Sequence, residues 1–327
     1  MNRPAATARQ PAGAPWTALP RVRLALLPTP LMRAERLEAA LGCGLLLVKR
    51  DDLIGFGMAG NKARPLEFLL GAARARGAEV FVTGGGPGSN FCAAAAQAAR
   101  SVGMGCELVI WGEPDSPNLA LAVAAGARLR PTGGSQREAV DRQVAARLAE
   151  LGPRGFGVPR GGSTPLGAVG FAAAAAELAA QLAAPPSVIV LPVGSGGSIA
   201  GLLAGLAAVD LEVPVLGVSV SRPPEEIAAR VHALAAGCAA LLGTTPPRPD
   251  ACTFVDARGS GFGIASELER ERARLALHTE GLLLDETYGA EALSVAVDRL
   301  ADGAGAVVWW HTGGILPAVR TMMKGTA

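Results

Sequence analysis

The sequence predicts an α/β protein made of two open parallel-sheet domains that face one another across a cleft. Short aliphatic runs alternate with long Ala/Leu/Arg stretches of helical character, and glycine-rich joints connect them. That alternation is the pattern of parallel strands covered by helices on both faces. Composition agrees: half of the 327 residues are apolar, 43 are glycine and only 4% are aromatic. Packing must then rely on small and aliphatic side chains at close backbone distances. A chain of this length buries one large core or two joined domains.

The expected strands are 45–49, 80–83, 107–111, 188–192, 215–220 and 306–310, each a short aliphatic run. Helices are expected near 62–76, 90–102, 117–126, 135–151, 166–183, 198–208 and 263–278. The Pro/Gly/Arg stretch GPRGFGVPRGGSTP (152–165) reads as a boundary or loop, and TTPPRPD (244–250) as a surface excursion. Residues 1–20, rich in Ala, Pro and Arg and without a continuous apolar core, read as a flexible arm rather than a leader. The expected division is a large domain of 21–62 and 166–327 with a small mobile domain of 63–165 between.

Net charge is +2, with no basic block, so nucleic acid is not an expected partner. Five scattered cysteines without a CxxC pair, beside three histidines, offer neither a disulfide framework nor a zinc site. Apolar runs such as 168–176 are too short to span a bilayer. A cytoplasmic protein with no membrane partner is expected.

Lys62 is the most informative residue. The chain has three lysines, Lys49, Lys62 and Lys324, against twenty-seven arginines. A lysine set in Gly-Asn-Lys-Ala-Arg suggests a task that guanidinium cannot do: an amine can lose its proton and attack a carbonyl. The use that follows is a Schiff base with an aldehyde cofactor, pyridoxal 5'-phosphate (PLP). The bland reading is a helix-start lysine that meets an anion or solvent.

Three glycine-rich joints add to this. After the 188–192 strand, Gly194, Ser195, Gly196, Gly197 and Ser198 lead into an apolar helix. Converging backbone amides and a helix N-terminus suit a phosphate monoester. No Gly-Lys-Ser/Thr follows, so this is not a nucleotide P-loop. The second joint, 83–91, puts Ser89 and Asn90 at a helix start, either as caps or around a substrate carboxylate. The third, 309–315, places Thr312 at a strand end, where its hydroxyl can meet a ring nitrogen; His311 beside it reads as packed. Tyr288, the sole tyrosine, is either core or turned to the cleft.

Taken together, LLPTPLMRAERLEAALG (26–42), VKRDDLIGFGMAGNKARPLEFLL (48–70), VPRGGSTPLGAVGF (158–171), LPVGSGGSIAGL (191–202), LLLDETYGAEAL (282–293) and HTGGILP (311–317) resemble the D-cysteine desulfhydrase and 1-aminocyclopropane-1-carboxylate (ACC) deaminase family. These are PLP enzymes of fold type II. The resemblance implies catalytic roles for Lys62, Ser89 and Tyr288, with Lys62 holding the cofactor and moving the Cα proton. It implies that Gly194 through Ser198 hold the phosphate, Asn90 meets the phenolic oxygen and Thr312 the pyridine nitrogen. Ser89, Asn90, Phe91, Ser163 and Tyr288 would surround a small amino-acid substrate, and the enzyme would be a homodimer.

Of the chain's several departures from the family, two bear most on the reaction. Gly88-Ser89-Asn90-Phe91 stands where Gln-Ser-Asn-His is common, and Gly289 stands where ACC deaminase has a glutamate after the tyrosine. The second departure counts against ACC ring opening. The expected reaction is therefore β-elimination giving keto acid, ammonia and, from cysteine, sulfide. The alternatives are β-replacement of the cysteine synthase kind, a specialised-metabolism reaction, ACC deamination, and a non-catalytic protein that binds a phosphate ligand.

Overall fold

The computed structural model describes residues 13–134, 136 and 138–325. Its strands, in chain order, are β1 (Leu31–Arg33), β2 (Leu46–Arg50), β3 (Val80–Gly85), β4 (Gly105–Ile110), β5 (Arg128–Pro131), β6 (Gly155–Gly157), β7 (Val188–Val193), β8 (Val215–Ser219), β9 (Cys252–Asp256) and β10 (Val307–His311). They form a six-stranded sheet in the order β1-β2-β10-β7-β8-β9 and a four-stranded sheet in the order β5-β4-β3-β6. All pairings are parallel except β1 with β2. The central strands β7, β8 and β10 are buried along their length or nearly so. Both faces are covered, and their sequences are correspondingly continuous apolar runs.

The helices are α1 (Glu35–Leu41), α2 (Ala63–Ala75), α3 (Asn90–Ser101), α4 (Pro117–Ala124), α5 (Glu138–Leu151), α6 (Pro165–Gln181), α7 (Gly197–Ala208), α8 (Pro224–Leu242), α9 (Glu267–Glu280), α10 (Gly289–Ala301) and α11 (Ile315–Gly325). α6 starts where Thr164 caps it, its Oγ1 accepting from the Gly167 amide at 3.0 Å, with Pro165 in the first turn. α6 and α7 meet almost backbone to backbone: a methyl on Gly201 would lie 2.0 Å from the Ala168 carbonyl oxygen, and one on Gly205 2.4 Å from that of Ala172. This is the close approach that the Ala/Gly composition allows. No helix among the described residues is long and apolar enough to cross a membrane.

Several local expectations change. β1, β5, β6 and β9, and helices α1, α8, α10 and α11, are additional to those expected from sequence. β6 lies inside the 152–165 stretch expected as a loop and pairs with β3. α9 begins at Glu267 rather than 263, where Ser266 caps it in a reciprocal pair with Glu269. The arm expected over 1–20 falls outside the described residues as far as 12, but from residue 15 it packs. Trp16 is buried with Phe68, Val169 and Leu242, and Arg21 pairs with Glu67. α2 packs on two sides: Leu66, Leu69 and Leu70 join the core under the four-stranded sheet, while Phe68 packs with α6.

Candidate active site

The carboxyl ends of both sheets open on one cavity of about 590 Å³, where parallel α/β proteins bind ligands. Lys62, Ser89, Asn90, Phe91, Ser163, Gly194, Ser195, Gly196, Gly197, Ser198, Tyr288 and Thr312 all border it. Segments up to 250 residues apart in sequence are thus brought together, Lys62 with Thr312 being one such pair.

Lys62 closes the one-turn segment Gly60–Lys62 ahead of α2. Gly60 has φ +52°, and a methyl there would lie 2.4 Å from the Thr312 carbonyl oxygen, so only glycine lets the turn sit against the β10 end. The Asn61 amide donates to that carbonyl at 2.9 Å, and Asn61 Nδ2 donates to Ser198 Oγ at 3.1 Å. The lysine turn is therefore fixed to two other joints at once. Its side-chain amine has no hydrogen bond or ion pair among the described residues. The residue is half-buried and borders the cavity. Burial lowers its pKa to about 8, an effect that Asp285 and Asp51 partly oppose.

At the second joint, Gly196 (φ +91°) turns the chain from β7 into α7. Ser163 Oγ donates to Ser195 Oγ at 2.6 Å and accepts from the Gly197 amide at 3.2 Å. Ser163, expected beside the substrate, thus stands against this loop. At the third joint, Ser89 caps α3, its Oγ accepting from the Cys92 amide at 3.2 Å. Asn90 Oδ1 accepts from Asn118 Nδ2 at 2.8 Å, which fixes the orientation of the Asn90 amide. Phe91, also expected at the substrate, is only 2% exposed and belongs to the core with Leu69. A methyl on Gly162 would lie 2.4 Å from its ring, so the aromatic ring fills space that glycine leaves free.

The Tyr288 phenol lies over Gly194, where an added methyl would come within 3.3 Å of its oxygen. Its ring meets Phe262 edge-on, at 6.2 Å between centroids. Sequence reading missed Asp285 as a site residue. It is buried at the cavity wall, and its carboxylate accepts from the amides of Thr287 (3.2 Å), Tyr288 (3.0 Å) and Gly289 (3.1 Å). Burial pushes its pKa up to about 6, and those three amides hold it from rising further. An aspartate between an apolar run and a Gly-led helix was the signal for this turn. His311 is packed as expected: it stacks on Trp309 at 5.2 Å, and burial lowers its pKa to about 4.

A buried ion network braces the lysine turn from behind. Arg64, two residues on, binds Asp51 (Nη2–Oδ1, 2.7 Å) and Glu177 (3.1 Å), and Glu177 also takes the Lys49 ammonium. Lys49, whose Nζ also donates to the Thr29 carbonyl and Gln181 Oε1, is thereby committed to structure. Of the lysines with described side chains, only Lys62 offers an amine to the cavity.

A two-sheet α/β fold that brings one desolvated amine and a glycine-rich helix start to the same cavity has the parts that a phosphorylated aldehyde cofactor needs. The chain belongs to the pyridoxal-phosphate dependent enzyme family (PALP), which it matches over residues 22–313. It is 36% identical over 308 residues to nocardicin C-9' epimerase of Nocardia uniformis subsp. tsuyamanensis, a match covering 90% of this chain and 93% of that protein. It is 32% identical over 314 residues to D-cysteine desulfhydrase of Salmonella choleraesuis, covering 91% and 95%. The crystal structure of an ACC deaminase homologue superposes with a TM-score of 0.88 at 30% identity, covering 95% of this chain and 97% of that one. The fold is PLP fold type II. The residues present fit the cofactor: an unpaired amine for its aldehyde, and the amides of 194–198 with the α7 N-terminus for its phosphate.

Proposed function

We propose that the enzyme is a PLP-dependent lyase that removes the Cα proton of a small amino acid and expels a group from Cβ, in the manner of D-cysteine desulfhydrase. The supporting observation is the Lys62 amine, desolvated, unpartnered and directed to the same cavity as the 194–198 loop. When bound, the cofactor supplies the electron sink that makes a Cα proton removable. Lys62 holds the cofactor and carries that proton; a pKa near 8 leaves a useful share of its amine neutral near physiological pH.

In this reading Gly194 through Ser198, shaped by Ser163, grip the phosphate. Asn90 faces the cofactor's phenolic oxygen, Thr312 its ring nitrogen, Ser89 the substrate carboxylate and Tyr288 the reacting carbons. Residues 63–165 form a small domain that closes on the rest, and the enzyme acts as a homodimer. ACC ring opening is disfavoured. Position 289 is a tight helix start, where a methyl would already lie 3.2 Å from Leu284 Cβ, and no acid stands directly after Tyr288.

Gly197→Ala tests the phosphate loop. Its methyl would lie 2.8 Å from Ser163 Oγ, so that hydroxyl must move and cofactor affinity falls. Reconstitution of the apoprotein, followed by absorbance, should show the loss, and wild-type affinity would remove the loop from the site. The reaction itself is tested by titrating the holoenzyme with D-cysteine, L-cysteine, ACC and D-serine while following the visible band and the products. Keto acid and ammonia from a cysteine or serine support elimination. An amino acid of inverted configuration formed without keto acid, as the epimerase relative suggests, would keep Cα deprotonation and exclude elimination. A new amino acid formed only with an added thiol would mean replacement.

A further inference from the structure

Three arginines meet at the mouth of the cavity, and only two of them have a carboxylate partner. Arg160, just after β6, pairs with Asp141 of α5 (Nη2–Oδ2, 3.0 Å) and lies over the Trp111 ring at 6.0 Å. Arg222, after β8, pairs with Glu226 one turn along. Arg230, on α8, donates Nε to the Ser195 carbonyl at 2.8 Å and makes no ion pair among the described residues. All three border the cavity that holds Lys62.

They also feel one another. Burial lowers the Arg230 pKa, and Arg222 and Arg160 lower it further, against weaker opposition from Asp141 and Glu226. Guanidinium does not shed its proton in a protein, so the corner keeps an excess of one positive charge. A partly buried cation without a counter-ion is costly, and a charge-assisted hydrogen bond from an arriving anion offsets that cost.

Building on the lyase reading, we propose that the Arg230 corner holds a second anionic group of the substrate, so that the preferred substrates are amino acids with a sulfonate, phosphate or carboxylate on the side chain. The cofactor's phosphate is a poorer candidate for this corner. In a loop whose amides converge on an anion the carbonyls turn away, and Arg230 is fastened to a carbonyl of that loop. The guanidinium is thereby held at the cavity wall, near enough to Arg160 and Arg222 to feel their charges.

The test compares cysteate with cysteine, each as both enantiomers, by absorbance titration of the holoenzyme. The expected result is tighter binding of one cysteate enantiomer than of either cysteine. Arg230→Gln should reduce the cysteate-to-cysteine affinity ratio by roughly 10–100-fold, the worth of a hydrogen bond to a charged group. Arg230→Lys, which keeps the charge, should restore part of that ratio. Apoprotein reconstitution of the same variants supplies the control. A matched loss of PLP affinity in Arg230→Gln would assign the residue to the cofactor and overturn the proposal. A response to cysteine with no preference for cysteate overturns the anion corner and leaves the lyase reading intact, whereas silence toward every amino acid fails both.

Discussion

Replacing Lys62 with alanine lowers turnover by at least roughly 10²–10⁴-fold, the usual contribution of a positioned general base. The effect is chemical rather than structural. The side-chain amine makes no hydrogen bond or ion pair among the described residues, so removing it breaks no protein contact of that kind. Far-UV circular dichroism and the unfolding midpoint should stay near wild type while the rate collapses, and a high concentration of a small primary amine should restore part of it. Turnover near wild type in the variant would end the assignment. The depressed pKa has its own signature. Only the neutral amine attacks an aldehyde, so the rate of PLP capture by the apoprotein should rise with pH and level off above about 8. An ordinary lysine would keep accelerating toward its value near 10.5.

Glu177→Ala should produce the largest loss of stability. The carboxylate is buried and holds Lys49, Arg64 and the Thr29 backbone amide and hydroxyl. Removing it strands two buried cations, of which Asp51 rescues only Arg64, and breaking such a pair costs about 3–5 kcal/mol. Burial pushes the Glu177 pKa up, but Arg64 and Lys49 outweigh it and hold it at about 2. A folded-state pKa below the unfolded value near 4.5 gives stability that is complete above about 4.5. That stability is lost as pH falls toward 2. Urea unfolding across this acid range should therefore show a steeper decline for wild type than for Glu177→Ala. Parallel curves, or a variant as stable as wild type at neutral pH, would show that the network does not brace the lysine turn.

The fold was legible where burial made the sequence uniform. β7, β8 and β10 are central parallel strands, and their aliphatic runs marked them directly. The missed strands are short and lie at or next to sheet edges. β5 reads Arg-Leu-Arg-Pro with no fully buried residue, and β6 is Gly-Phe-Gly; both depend on pairing that no local pattern announces. α8 was readable but overlooked: Ile227, Val231, Ala235, Cys238 and Leu242 repeat at helical spacing. The site followed the same rule. Lys62, Ser89, Asn90, Tyr288, Thr312 and the 194–198 loop all sit at Gly-flanked strand or helix ends that composition marks. Asp285 and Arg230 owe their place to tertiary folding, which buries one carboxylate under three amides and turns one guanidinium into the cleft.

Borohydride fixation of bound PLP followed by peptide mapping tests the central claim most directly, because the chain offers only three lysine side chains to choose from. The account predicts the pyridoxyl group on the peptide containing Lys62, and its absence from Lys49, which is fully buried in the ion network. A label on Lys49 or Lys324, or no label on any lysine, would contradict it.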